Sequence, residues 1–201
     1  MKEIMDQAIF RTTSQALHFS YVIQAYEPSA ESVMAKVVRR LMKESGVWDV
    51  GAPSTVNFDG LNALEVRAQC AMIRAAVHDR LPGPECWVIQ ARYGINDIVA
   101  EDGQRKYCNQ EKFEAILNLA DWMRPSLRDV SPLAVDHLVA NATGGKGVRK
   151  RTLRELAEQF GKSKDTWRRS LCDVRRRLDA LENLAIDRLT PGFVAEGIVA
   201  P

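Results

Sequence analysis

Residues 152–171, TLRELAEQFGKSKDTWRRSL, decide how this chain is read. They have the spacing of a helix-turn-helix. Thr152 and Glu155 stand as T-x-x-E, the capping box that opens a helix by satisfying exposed backbone donors reciprocally. Ala157 is small, so a second helix can cross close to the first. Gly161 falls where the chain must turn and where φ > 0 carries no steric cost. Ser163 is placed to cap the following helix. Trp167 and Leu171, four apart, share the inward face of that helix. Lys164, Asp165, Arg168 and Arg169 are left to face outward, toward a major groove if the partner is duplex DNA. Lys162 and Trp167 depart from the usual pattern, which prefers an apolar residue after the glycine and a smaller aliphatic at the tryptophan position. The competing reading is a helical hairpin inside an ordinary all-α core; the capping signature favours the motif.

Charge concentrates on the same stretch. The formal charge of the whole chain is +2. Twelve basic and four acidic residues between Lys146 and Arg177 make that segment +8, which leaves −6 for the remainder. Such a basic segment, coinciding with a helix-turn-helix, is the electrostatic footprint of a phosphate-binding surface. Arg149, Lys150, Arg151 and Arg154, which precede or open the motif, and Arg175, Arg176 and Arg177, beyond its reading portion, are candidates for phosphate contacts. Lys164, Asp165, Arg168 and Arg169 are candidates for reading bases, with Ser163 beside them.

Working outward, nearly every periodic segment has helical spacing, so the fold class expected is all-α. A helix is expected over 14–25, with Leu17, Tyr21 and Gln24 as its stripe, ended by Pro28. Another is expected over 30–44, with Val33, Val37, Val38, Leu41 and Met42 on its apolar face. Residues 45–60 read as a loop anchored by Trp48 and Phe58. A helix over 61–80 is expected, with Leu61, Leu64, Ala68, Ala71, Ala75 and Val77 on broad apolar faces. After the breaker LPGP at 81–84 comes a short helix near 85–93, closed by Gly94. Residues 95–109 read as loop, and 110–122 as a helix carrying Phe113, Ile116, Leu117 and Ala120, stopped by Pro125. Ser131 and Pro132 have the cap-and-first-turn order of a helix running to about Ala140. The stretch 141–150, NATGGKGVRK, reads as a flexible basic linker, because no Gly-Lys-Ser/Thr ending makes it a phosphate loop. The last helix carries Leu171, Val174, Leu178, Leu181 and Ala185, a coiled-coil-like seam. Packing onto the protein's own core is the favoured use of that seam, and a homodimer the other. Thr190, Pro191 and Gly192 are expected to end it, and the tail FVAEGIVAP to dock on a surface.

The sequence carries little chemistry outside this. The four cysteines, Cys70, Cys86, Cys108 and Cys172, form no C-x-x-C pair, and His18, His78 and His137 are scattered, so no metal site and no cofactor are expected. No carboxylate pair forms a recognisable metal motif and no Ser/His/Asp order stands out, so no catalytic residues are assigned and the chain is not expected to be an enzyme. Separated cysteines suit a reducing cytosol. No segment is apolar enough for a membrane span, and no signal-peptide core opens the chain. A cytoplasmic location, in a host bacterium if the gene is a phage's, is the expectation.

LPGPECWVIQARYG at 81–94 resembles the first helical part of region four of bacterial sigma factors, through Leu81, Pro82, Glu85, Val88, Arg92, Tyr93 and Gly94. In sigma factors the helix-turn-helix follows almost directly, whereas residues 95–150 intervene here. A region-four-like reader with additional helices looks like the Q-type antitermination proteins of lambdoid phages. That resemblance implies a protein that binds double-stranded DNA near a late promoter, contacts RNA polymerase and carries it through terminators. The alternative is a DNA-packaging adaptor of the small-terminase kind. Four segments are expected: an N-terminal helical region (1–80), a middle helical region (81–145), the helix-turn-helix region (146–189) and a tail (190–201).

Overall fold

The computed structural model describes residues 8–23, 61–98, 106–127, 130–144 and 150–201. The helix expected over 30–44, the loop 45–60 with Trp48 and Phe58, Gln24 and Arg149 lie outside the described residues. Among the described residues the fold is all-α with one small hairpin. In chain order the elements are α1 (Thr13–Val22), α2 (Ala63–Arg80), α3 (Gly83–Tyr93), β1 (Asn96–Ile98), β2 (Lys106–Cys108), α4 (Gln110–Met123), α5 (Pro132–Thr143), α6 (Leu153–Phe160) and α7 (Lys164–Ala195). A 3-10 turn, Arg124–Ser126, follows α4 at Pro125. Among the described residues, no helix is long and apolar enough to cross a membrane.

Where the sequence suggests four segments, the chain packs as two compact units, Met1–Leu81 with Ile186–Pro201, and Pro82–Ala185. In the first unit α1 packs on α2. Leu17 and Tyr21 are buried, as their stripe requires, and Arg74 of α2 donates to the Ser20 carbonyl. Asn62 and Glu65 form a capping box at the start of α2. The buried seam of α2 is Val66, Cys70, Ile73, Ala76 and Val77. Of the residues read as its broad apolar faces only Val77 is in it; Leu64 is 77% exposed, and Ala68, Ala71 and Ala75 are exposed too. Alanine favours helix without needing burial, so a stripe of it marks helix and not core. The larger β-branched side chains gain more from leaving water and choose the face.

The C-terminus corrects a second expectation. Thr190, Pro191 and Gly192 do not end α7; Pro191 sits inside the helix, which runs on to Ala195. An internal proline costs about 3 kcal/mol by removing a hydrogen bond and crowding the preceding turn. Full burial of Leu189 and Phe193, at roughly 1.5–3 kcal/mol each, offsets that cost. Thr190 donates to the Ile186 carbonyl one turn back and meets the Thr13 hydroxyl at 2.7 Å. Beyond α7, Gly197 turns the chain at φ 70°, and the tail docks as expected. Phe10 and Val199 form a parallel bridge, with the Phe10 N–H on the Ile198 carbonyl at 2.9 Å and the Ala200 N–H on the Phe10 carbonyl at 3.0 Å.

In the second unit α3 packs on α4, and both pack on α5. Gly94 ends α3 with φ −56°, so glycine is not needed there for a left-handed turn. It is needed for space: a Cβ would overlap the Gln90 carbonyl oxygen and press on Lys112. Lys112 is itself buried and donates to the Gly94 carbonyl at 2.9 Å. The segment 95–109 is not wholly loop, since β1 and β2 pair antiparallel with Asp97 opposite Tyr107. On α4 Ala115, Ile116, Leu119, Ala120 and Met123 point inward, while the apolar Phe113 is 52% exposed. Helix α5 begins at Pro132 as expected, although the Ser131 side chain makes no capping bond, and it continues three residues past Ala140.

Candidate nucleic-acid interface

The helix-turn-helix forms as its residues dictate. The Thr152 hydroxyl accepts the Glu155 N–H at 3.2 Å, and the Glu155 carboxylate accepts the Thr152 N–H at 2.7 Å. Leu156 is the buried residue of the eight-residue α6. At the turn Gly161 has φ 71° and ψ −164°, a region open essentially to glycine alone, and Lys162 follows with φ 65°. Lys162 is exposed, which explains how a lysine stands where an apolar residue is usual. Ser163 accepts the Thr166 N–H at 3.2 Å and so caps α7.

Trp167 locks this turn. It is 1% exposed, its ring lies 6.1 Å from that of Phe160, and its indole N–H donates to the Gly161 carbonyl at 2.8 Å. One side chain therefore fills the angle between the helices and satisfies a turn carbonyl, which a smaller aliphatic could not do. The seam continues along α7 through Val174, Leu178, Leu181 and Ala185, all buried within the single chain, with Leu171 half-buried at its edge. These side chains are already covered, so the seam is not a free surface for a second copy.

The expected site residues separate into groups. Lys150, Lys164, Asp165, Arg168, Arg169, Arg175 and Arg176 are exposed. Arg154, also exposed, pairs with Glu158 at 2.8 Å, Arg168 with Asp165 at 3.3 Å and Arg176 with Asp173 at 2.8 Å. Exposed pairs of this kind hold by only a few tenths of a kcal/mol and yield to a phosphate. Among the described residues, Arg169 and Arg175 form no ion pair. Three residues have structural work instead. The Ser163 hydroxyl is engaged as the cap. Arg177 donates to the Ser126 hydroxyl of the 3-10 turn. Arg151 and Asn141 exchange two hydrogen bonds, Arg151 N–H to Oδ1 at 3.0 Å and Nδ2 to the Arg151 carbonyl at 2.8 Å, and the Arg151 guanidinium reaches Gln159. That exchange ties the start of α6 to the end of α5. Nothing in the spacing of the sequence marks Asn141 for this role, because it lies in what reads as linker.

No family model, no curated protein and no solved structure matches the chain. The interface is therefore judged on its own chemistry. Two further side chains position it. Arg92, near the end of α3, donates to both Asp179 and Glu182 of α7. The other residues of α3 are largely spent internally. Glu85, Cys86, Val88, Ile89, Gln90 and Ala91 are buried, which leaves only the less buried residues of α3, such as Trp87 and Tyr93, nearer its surface.

His137 is the second. Its ring lies 5.8 Å from Phe160, which in turn meets Trp167, so it buttresses the helix-turn-helix from α5. Burial, and then the Arg151 charge, hold its pKa below the ordinary 6.5, against a smaller opposing pull from Asp136. The unfolded chain thus takes up the proton more readily than the folded one. The contribution to stability is complete above pH 6.5 and is lost as pH falls from there through the folded-state pKa. Denaturant midpoints measured from pH 7.5 down to 5.5 should fall in the parent and fall less in His137→Gln. Parallel slopes in the two proteins would show that this histidine is not the group responsible.

Proposed function

We propose that this chain is a sequence-specific, double-stranded-DNA-binding transcription regulator, of the kind that acts on RNA polymerase as a late-gene antiterminator. One observation carries the DNA-binding part. A capped helix-turn-helix, with Trp167 inward, presents an outward face of basic residues within a segment of local charge +8. Lysine and arginine on such a face exchange condensed counterions for phosphate contacts. The antitermination part rests on the likeness of residues 81–94 to sigma region four.

The test has two stages. Selection of bound sequences from random duplex DNA should yield a defined site. A run-off assay with bacterial RNA polymerase should then show passage through a terminator only on templates that carry the site near the promoter. Blocked initiation would make the chain a repressor, and stimulation of a packaging motor without effect on elongation would make it a packaging adaptor.

The salt dependence supplies a separate prediction. Arg175→Ala/Arg176→Ala should flatten the slope of log affinity against log salt by roughly 0.9 for each arginine that leaves a phosphate. Arg177 is left in place because it is tied to Ser126. A slope equal to the parent's would mean that the pair is merely a solvated face.

A further inference from the structure

Resting on the DNA-binding reading above, we infer that the duplex meets α7 along the line Asp165–Arg169–Cys172–Arg176, and that Arg169, not Arg168, reads a guanine. The argument is rotational. Each residue turns an α-helix by about 100°. On that count the buried seam of the second unit, Trp167, Val174, Leu178, Leu181 and Ala185, falls within an arc of about 60°. Asp165, Arg169, Cys172 and Arg176, all exposed, fall within an arc of about 60° centred opposite them. Arg168 and Arg175 lie about 90° to one side. The pole opposite the seam is the part of the helix that projects furthest, and it enters a groove first.

The charges along this line agree with that placement. Asp165 would be repelled by phosphates, so its position suits the groove floor, where base edges lie, better than the backbone. Arg168 is engaged with Asp165 at 3.3 Å, whereas Arg169 forms no ion pair among the described residues. A free guanidinium on the central line can give two hydrogen bonds to guanine O6 and N7. The short Cys172 side chain, three residues on, keeps the helix backbone close to the groove between Arg169 and Arg176.

Cys172 also gives a readout of contact. It is exposed, while Cys70 and Cys86 are buried, with burial pushing their thiols up to about 12 and about 11. N-ethylmaleimide modification of Cys172 in the intact protein, located by peptide mapping, should slow at least tenfold when a mixed-sequence 40-base-pair duplex saturates the chain. Selection from random duplexes should show a preferred guanine whose advantage, roughly tenfold or more, disappears in Arg169→Ala. Arg169→Lys should lose the preference and keep the salt slope, because it retains the charge, leaves the phosphate contacts elsewhere untouched and lacks the two-pronged fit to guanine. Arg168→Ala should weaken all sequences alike. Binding with Cys172 modified at the free rate, or a preference lost in Arg168→Ala and kept in Arg169→Ala, overturns the contact line while leaving DNA binding intact. A parent chain that shifts no duplex at any salt overturns the DNA-binding reading, and the contact line with it.

Discussion

Trp167→Ala is expected to lower the unfolding free energy by about 3–5 kcal/mol, the usual cost of removing a large buried aromatic. Three losses coincide at this position. The indole leaves a void, because only 1% of the residue is exposed. Phe160 loses its ring partner, and with it part of the support that reaches back to His137. The Gly161 carbonyl loses its donor at the turn itself. Trp167→Phe should cost less, since it keeps an aromatic ring and gives up mainly the hydrogen bond and part of the volume. Denaturant unfolding followed by circular dichroism measures both. Parent-like stability in Trp167→Ala, combined with lost DNA binding, would instead make the indole a surface contact.

Leu156→Ala should be nearly as damaging, at about 2–5 kcal/mol. Helix α6 has eight residues, and Leu156 is the buried one. A helix this short has no useful stability in isolation, so its persistence depends on docking. The capping box at Thr152 and Glu155 is untouched by the substitution and should not rescue it. Amide exchange across 153–160 should therefore speed up markedly, ahead of α7. Leu64→Ala is the matched control, because Leu64 is 77% exposed and its truncation should shift stability by less than about 0.5 kcal/mol. Equal effects at Leu64 and Leu156 would contradict the burial pattern.

The comparison between those two leucines shows where the sequence is legible. Spacing alone says that residues 63–80 form a helix, because Leu64, Ala68, Ala71 and Ala75 recur at helical intervals. It does not say which face is inward, because α2 is apolar on both: Val66, Cys70, Ile73 and Val77 recur at the same intervals. The choice is made by what packs against the helix, here α1. Phe113 on α4 is a similar case, since its 52% exposure depends on which neighbours α4 acquires. The hairpin Asn96–Ile98 with Lys106–Cys108 is too short for periodicity to register.

The site divides along the same physical boundary. The helix-turn-helix is written in contacts among residues a few positions apart: Thr152 with Glu155, Ser163 with Thr166, Gly161 with Trp167. Local chemistry of that kind is visible in sequence, because the partners and their spacing are given together. The same holds for the outward face of α7, once Trp167 is known to be inward. What only the tertiary structure decided are the long-range ties. Asn141 joins Arg151, Arg92 reaches Asp179 and Glu182, and Ser126 takes Arg177 out of the pool of free cations. Pro191 stays within α7 for the same reason: the local signal to stop is outweighed by burial of Leu189 and Phe193, whose value depends on their distant surroundings and not on their neighbours in sequence.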